Sequence, residues 1–371
     1  MKQYNVELSS DVSKSFRCQK AADSLDIDVQ KKSTHKLSVN ADIDSNYSIG
    51  LIIGASGSGK TTLAKHLFGQ ECFKEYLDVS KPVIDQFPKE FKYDQCAEIL
   101  TGVGLTSVPC WIRPAYTLSN GQRTRAEIAL AIANESNLTD IDEWTSVVDR
   151  TVAKVMSHCI SKTIRKQKKL HVAQVARRVV LLSCHYDVIE FLNPDWIIDC
   201  NKQTYEDRRL LCRNFERSEK LNFDIKQTDG KEWKYFSKYH YLSEKLPGGK
   251  LYHYGLFCGD NQIGYLNFAN YIPQVPNQSI KYHFNRLVIH PDYVGFGLGI
   301  KFLNESIAHF KTILDCEVFG AFSSIPVYKA LLKDSKWKLN SIRRSLKKIG
   351  YTNNNKFMRT LVTMFSFKYI K

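Results

Sequence analysis

A chain of 371 residues is long for one domain, and two is the expected number. At 43% hydrophobic and 25% charged it reads as globular with ample core; no run approaches the roughly 18 apolar residues of a membrane span and MKQYNVELSSDVSK holds no signal-peptide core, so a cytoplasmic protein without a membrane partner is expected. The formal charge of +15 fits a polyanionic partner, nucleic acid first, or else a generally basic surface.

None of the ten cysteines forms a C-x-x-C pair, and their spacings suggest neither a zinc site nor a disulfide framework. They are expected to be reduced, mostly buried small residues. The alternation in SLDIDVQ (24–30) and KLSVNADI (36–43) predicts a hairpin of half-buried strands. Such a sheet would lie beside a nucleotide, where Tyr47 and Phe16 could either stack on adenine or serve as core aromatics.

The stretch LIIGASGSGKTTL organises the first half of the chain. Its apolar run enters a turn of small residues (Gly54, Ser56, Gly57, Ser58, Gly59), and Lys60, Thr61 and Thr62 open a helix. Gly54, four residues, Gly59, Lys60 and Thr61 have the spacing of a phosphate-binding loop. Small residues let successive backbone N–H groups curl around phosphate oxygens, and the helix N-terminus adds the positive end of its dipole. Lys60 would reach the β- and γ-phosphates, and the Thr61 hydroxyl would bind Mg²⁺.

KPVIDQFPKEF (81–91) leads into a helical stretch ending near Leu105. In YTLSNGQRTRAEIALAIA (116–133), Ser119, Asn120, Gly121 and Gln122 precede apolar positions at helical spacing. This is either a second helix start aimed at an anion or a capped helix without a ligand. Asp142 and Glu143 are either a metal-holding pair that also polarises water or two solvated acids. In 161–178, Arg165, Lys168 and Lys169 fall near one helix face, as solvated charges or as phosphate contacts. The strand-like VVLLS runs into Cys184 and His185, and that histidine could donate to a γ-phosphate or be a core residue.

The order of these segments resembles the ABC-type ATPase family over residues 20–200. On that resemblance Gly54 to Thr62 correspond to the Walker A loop, and Gln86 to the glutamine of the Q-loop, a metal-side ligand with Thr61 and Asp142. Ser119, Gly121 and Gln122 fall in the signature that completes a partner subunit's site. Asp142 and Glu143 correspond to the Walker B aspartate and catalytic glutamate, Asp149 to the D-loop, and His185 to the switch histidine. The resemblance implies ATP and Mg²⁺ as cofactors and a homodimer that closes on two ATPs. Asn120 replaces the usual second signature glycine, and Trp144 stands where transporters usually have proline. Both departures, with a small helical lobe, fit a soluble ATPase better than a transporter subunit.

Near residue 205 the pattern turns polar, and a domain boundary is expected there, giving 1–205 and 206–371. YHYGLFCGDNQIGYLNFANYI (252–272) predicts two strands around a turn at Gly259-Asp260-Asn261-Gln262. Residues 282–310 predict a strand, a glycine turn and a helix with Leu303, Ile307 and Phe310 on one apolar face. A further strand (318–324) and the helical PVYKALLKD follow. Glycines in Val294-Gly295-Phe296-Gly297-Leu298-Gly299 would let backbone amides approach a pyrophosphate.

With Pro291 and Tyr293 this arrangement resembles the GNAT acyltransferases over about 230–345. The fold class implied for the whole chain is α/β: a P-loop ABC-ATPase domain followed by an α+β GNAT-like domain. The resemblance implies acetyl-CoA or a related acyl donor, with Gly295, Gly297, Leu298 and Gly299 at its pyrophosphate. Leu287, Val288 and Ile289 would cradle the pantetheine arm, and Tyr328 would be a general acid or a packing residue. Val294 replaces the family's usual Arg or Gln, so weakened cofactor binding is expected. The second half is also similar to the Mom family of phage DNA-adenine modifiers. Trp233, Tyr235, His240 and Tyr241 could hold an extruded base or form a layer against the sheet. Three functions stay open: an acyltransferase acting on nucleic acid, DNA favoured; a protein or small-molecule acyltransferase under an ATP clamp; and a non-catalytic ATP-gated scaffold.

Overall fold

Two units divide the chain, Met1–Glu219 and Lys220–Lys371. The computed structural model describes residues 2–10, 13, 15–24, 33–69, 75–133, 138–170, 178–210, 221–240, 245–270, 279–295, 297–351 and 357–371.

Unit 1 begins with β1 (Lys2–Ser10), α1 (Phe16–Asp23) and β2 (Ser33–Ala41). β1 and β2 pair antiparallel from Lys2↔Ala41 to Ser10↔Ser33. The expected hairpin therefore has a different first strand. The partner of 36–41 is the N-terminal segment, and residues 25–30 lie outside the described residues. Tyr47 is buried edge-on against Trp196 and so is a core aromatic, whereas Phe16 is exposed on α1.

Next come β3 (Ile49–Ile53), α2 (Lys60–Phe68), α3 (Tyr93–Gly102), the short α4 (Val108–Trp111), α5 (Asn120–Ala133) and β4 (Leu138–Ile141). Then follow α6 (Arg150–Leu170), β5 (Arg178–Ser183), the short α7 (Ile189–Leu192), β6 (Trp196–Asp199) and β7 (Thr204–Asp207). The five-stranded sheet has the order β4-β5-β3-β6-β7, parallel except for β7. β3 is central and covered on both faces, which is why its sequence is a continuous apolar run. Ile49, Leu51 and Ile53 join residues of α3, α5 and α6 in one core, while Ile52 joins α2, β1 and β2 in the other.

The expected boundary at 205 falls inside β7. That strand pairs with β6, and Arg209 just after it is ion-paired to Asp44, so backbone pairing carries unit 1 past this polar stretch. Its charged sequence reflects an exposed edge strand, where polar side chains are the rule.

Unit 2 contains β8 (Asp224–Thr228), the short α8 (Trp233–Phe236), β9 (Lys250–Cys258), β10 (Asn261–Asn270), β11 (Lys281–Ile289) and α9 (Leu298–Ile313). It ends with β12 (Glu317–Phe322), α10 (Ile325–Lys333), β13 (Trp337–Tyr351) and β14 (Phe357–Tyr369). The seven-stranded sheet runs β13-β14-β12-β11-β10-β9-β8, and only β11 and β12 are parallel, joined through α9. The β9–β10 turn is Gly259-Asp260 alone, because Asn261 already pairs with Cys258. Leu303, Ile307 and Phe310 are all fully buried, as their spacing implies.

Unit 1 is thus an α/β domain with a parallel sheet around a phosphate-type loop, and unit 2 a mixed α+β domain with the β11–α9–β12 crossover. Among the described residues no helix is long and apolar enough to cross a membrane.

Candidate functional site

β3 delivers residues 54–59 to the start of α2. Gly59 caps that helix at φ +87°, a conformation that favours glycine, and α2 starts immediately at Lys60. Lys60 is buried and folds back over the loop. Its Nζ donates to the carbonyls of Gly54 (3.0 Å) and Ala55 (3.1 Å) and lies 3.1 Å from Glu143 Oε1. Thr61 Oγ1 donates to Asp142 Oδ2 at 2.6 Å. Two hard oxygen ligands thus converge where a divalent cation would sit. The buried Ser58 hydroxyl finds no hydrogen-bond partner among the described residues, as expected of a group that meets a ligand. Donor set and loop therefore fit a nucleotide phosphate with Mg²⁺.

Glu143 has φ +47°, an uncommon conformation for a non-glycine residue, and its N–H donates to Leu182 O at 3.1 Å. Ser146 Oγ donates to Glu143 Oε2 at 2.5 Å. Burial pushes this carboxyl up, but the bonds from Ser146 and Lys60 and the Lys60 charge outweigh it and hold it below the ordinary value.

His185 follows β5 on the same side. Burial first, then the Arg150 charge, lowers its pKa, so the ring is neutral at pH 7. Its N–H donates to Ser183 Oγ (3.1 Å), Ser183 Oγ lies 2.8 Å from Thr145 Oγ1, and Thr145 Oγ1 lies 2.9 Å from His185 Nδ1. Thr145, backed by Ser183, thereby holds the imidazole through Nδ1; with Thr145 donating, the ring proton sits on Nε2. The sequence reading missed Thr145, Ser146 and Ser183, although two of them directly follow Trp144.

Other expected residues are placed differently. Ser119 and Gln122 form a reciprocal cap on α5: the Ser119 N–H donates to Gln122 Oε1 (3.1 Å) and the Gln122 N–H to Ser119 Oγ (3.4 Å). Gly121 lies between them in the first turn. Asp149 caps α6, accepting from the Val152 N–H at 3.0 Å. Gln86 is engaged by its own loop. Its Oε1 accepts from the Asp78 N–H (2.8 Å), and its Nε2 lies within 3.2 Å of the Asp78, Lys81 and Pro82 carbonyls, so folding the 78–82 loop occupies the whole amide. Arg165 is committed internally, to Asp195 Oδ1 (3.0 Å) and Asn193 O (2.6 Å), rather than presented to a phosphate. Residues 171–177 of that basic run lie outside the described residues, as does Tyr241.

In unit 2, β11 pairs with β12 only from Lys281↔Glu317 to Phe284↔Gly320, and beyond that point the strands part. Opposite the gap, β11 stays paired to β10 up to Ile289↔Gly264, with a bulge at Asn267/Phe268. The His290 N–H donates to Ile263 O (2.7 Å) and the Arg286 N–H to Asn267 Oδ1 (2.9 Å), both toward β10. By alternation Val288 also directs its backbone to β10, and only Leu287 and Ile289 face the gap. Of the three expected cradle residues, two are positioned for it.

Past Pro291 the chain turns through Gly295 (φ +98°) and Gly297 (φ +78°) into α9, which Leu298 and Gly299 begin; Phe296 lies outside the described residues. A Cβ on Gly297 would meet nothing within 4 Å, so the approach to the α9 N-terminus is open. Open ground at the first turn of a 16-residue helix, next to strand amides that pair with no other described strand, fits a pyrophosphate with an amide-bearing arm.

Tyr328 stacks on Phe365 (4.0 Å between ring centroids) and meets Phe367 edge-on. Trp233 is buried against Tyr265 in a cluster with Phe236 and Val288, and half-buried His240 meets Trp233 edge-on; both belong to the layer on the sheet rather than to an open base pocket. Tyr235 is exposed, parallel to the His290 ring, and His290 Nε2 lies 3.2 Å from the Tyr239 hydroxyl.

Burial and the Arg286 charge push His240 down to about 4, and burial also lowers His253 and His283. Between about pH 6.5 and pH 4 the unfolded chain binds protons that folded unit 2 does not, so its stability falls on acidification across that window. Thermal unfolding of the chain followed at successive pH values should show this decline, and His240→Asn should flatten it; an identical pH slope in that variant would be inconsistent with the assignment.

No protein-family model matches the sequence, and no curated protein matches it. Among solved structures, a dimeric post-hydrolysis ATP-binding cassette bound to ADP and Pi is 17% identical, with a TM-score of 0.35, over 47% of this chain and 92% of that one. The ribosomal-protein alanine N-acetyltransferase of Escherichia coli is 14% identical (TM-score 0.30; 40% and 93% of the two chains). A Bacillus subtilis acetyltransferase in complex with CoA is 15% identical (TM-score 0.30; 41% and 99%). These likenesses carry no further argument, and the fold stands on the strand order and crossovers above.

Proposed function

We propose that unit 1 binds and hydrolyses ATP, that unit 2 transfers an acyl group from an acyl-CoA to an amine, and that the acceptor is a nucleic-acid base. The observation that carries the first part is the convergence of Lys60, Thr61, Asp142, Glu143 and His185, from separate segments, on one loop. Mg²⁺ held by Thr61 and Asp142 would neutralise charge on the β- and γ-phosphates. Lys60 exchanges its loop carbonyls and Glu143 for phosphate oxygens. Glu143, freed from Lys60 and still held by Ser146, takes the proton of an attacking water. His185 donates from Nε2 to the γ-phosphate, stabilising the charge that grows there. Ser119 and the α5 N-terminus would cap the γ-phosphate bound by a second copy, which makes the working state a homodimer.

In unit 2 the β11/β12 gap and the open α9 N-terminus support an acyl-CoA site. Leu287 and Ile289 offer backbone partners, and Gly297 leaves room for the diphosphate. In this reading Tyr328 would protonate the departing thiolate and take back the proton that the acylated amine releases. The charge of +15 supports nucleic acid as acceptor, with DNA favoured.

The test is to incubate the purified chain with ATP, Mg²⁺, labelled acetyl-CoA and DNA, then to digest the DNA and analyse its nucleosides by mass spectrometry. An acetylated nucleoside and released phosphate support the reading. Label on protein lysines or free amines, with DNA unmodified, points instead to a protein or small-molecule acyltransferase.

Thr145→Val tests the histidine geometry. It keeps the shape but removes the hydrogen-bond partner of Nδ1, and should lower ATP turnover about tenfold with little change in ATP affinity. Thr145→Ser should restore the rate; a valine variant as fast as the parent would remove the relay.

A further inference from the structure

The parts of β13 and β14 beyond the sheet carry charge of one sign. Residues 335–371 hold ten of the 53 Lys and Arg and none of the 38 Asp and Glu. About two thirds of the net charge of +15 therefore lies in about a tenth of the chain. β14 is anchored to β12 only through Phe365–Lys368. The β13–β14 ladder nevertheless continues from Arg343↔Met364 to Tyr351↔Phe357. Beyond the anchor, the two strands form a ribbon whose remaining edges pair with no other described strand. At about 3.3 Å per residue it reaches about 30 Å.

Charge is distributed on both faces of this ribbon. By alternation positions 343 and 347 fall on one face, and 344 and 348 on the other with 359. Arg343 and Arg344 are exposed. Lys348 stands directly opposite Arg359, and like charges opposed across a ladder are destabilising. Residues 335–371 supply no acid of their own to balance these positions, which suits the ribbon to an anion that comes from outside. A membrane presents its charge in one plane and would engage one face. A nucleic-acid groove, with phosphates on both walls, would engage both. Duplex DNA carries a negative charge every ~1.7 Å of its axis, and a two-stranded ribbon is narrow enough to enter its major groove.

We propose that the β13–β14 ribbon is the chain's nucleic-acid-binding arm, with Arg343, Arg344, Lys347, Lys348 and Arg359 neutralising backbone phosphates. The inference rests on the nucleic-acid reading of the acceptor and assigns it a surface.

The test measures binding of the full chain to a labelled 20-base-pair duplex by fluorescence anisotropy over a range of salt. Wild-type protein is compared with a variant carrying R343Q, R344Q, K347Q, K348Q and R359Q together. If the arm contacts phosphates, the slope of log K against log salt falls by about 3–5 in the variant, and affinity near 0.15 M salt falls at least about a hundredfold. Phosphate release from ATP and the unfolding temperature of unit 2 check that the variant is folded. Should the variant fail that check, the single charge reversals R343E and R344E, each expected to weaken binding severalfold, take its place. Wild-type binding that is salt-dependent but unchanged in the variants overturns the arm and leaves the acceptor reading standing. No duplex binding by the wild type overturns both. Loss of binding to anionic lipid vesicles, with duplex binding intact, also overturns the arm.

Discussion

Glu143→Gln should lower ATP turnover by about 10²–10⁴-fold while leaving ATP binding close to that of the parent. The side chain keeps its size and its bond from Ser146 Oγ, and Asp142 and Thr61 are untouched. What is lost is the carboxylate charge beside Lys60 and the ability to accept a proton from water. With ATP bound but not cleaved, the proposed dimer should accumulate. Single-turnover phosphate release and size-exclusion chromatography with ATP measure the two effects. Ordinary turnover in the variant would remove Glu143 from the chemistry, and its unusual φ would then need another reason.

The second large effect is expected in the core of unit 2. Gly320 is the last residue of β12 to pair with β11, directly opposite Phe284, whose ring lies across it. A Cβ built at Gly320 would sit 1.7 Å from Phe284 Cε1. The ring is also held against Phe322 and Trp337, so it cannot move without opening that core. Gly320→Ala should therefore cost about 3 kcal/mol, the upper part of the usual range for overpacking. For a unit of this size that lowers its unfolding temperature by about 6–12 °C. Calorimetry or near-ultraviolet circular dichroism would detect the shift. Adding Phe284→Leu should recover part of it, since the clash is with the ring. An unchanged unfolding temperature would mean that the strands separate here at little cost.

Both effects concern places where the sequence was only partly informative. The phosphate loop was readable because backbone chemistry near an anion demands small residues at fixed spacing, with lysine and threonine following. Asp142-Glu143 and His185 were readable only through their order along the chain, for either could have been a solvated or core residue. Gln86 had the right position in that order, but its amide is consumed by its own loop. For Trp233 and His240 the sequence left two roles, a base-holding pair or a layer on the sheet, because composition does not distinguish a buried aromatic layer from an open one. The β13–β14 hairpin went unrecognised because its charges interrupt the apolar alternation by which a strand is read, and a ribbon without a core face has no need of that alternation.

The sequence alone determined the local devices of this protein: the glycine turns, the capped start of α5, the apolar face of α9 and the basic segment after residue 334. Each depends on residues within a few positions of one another, where steric and hydrogen-bonding rules act directly. Tertiary structure decided what those devices face. It brought Thr145 and Ser183 together to orient His185, ended the β11–β12 pairing at Gly320 so that Leu287 and Ile289 face a gap, and set Lys348 opposite Arg359. Such relations depend on strand register and on packing between distant segments, which are set by how the whole sheet buries its apolar faces and not by any one stretch of chain.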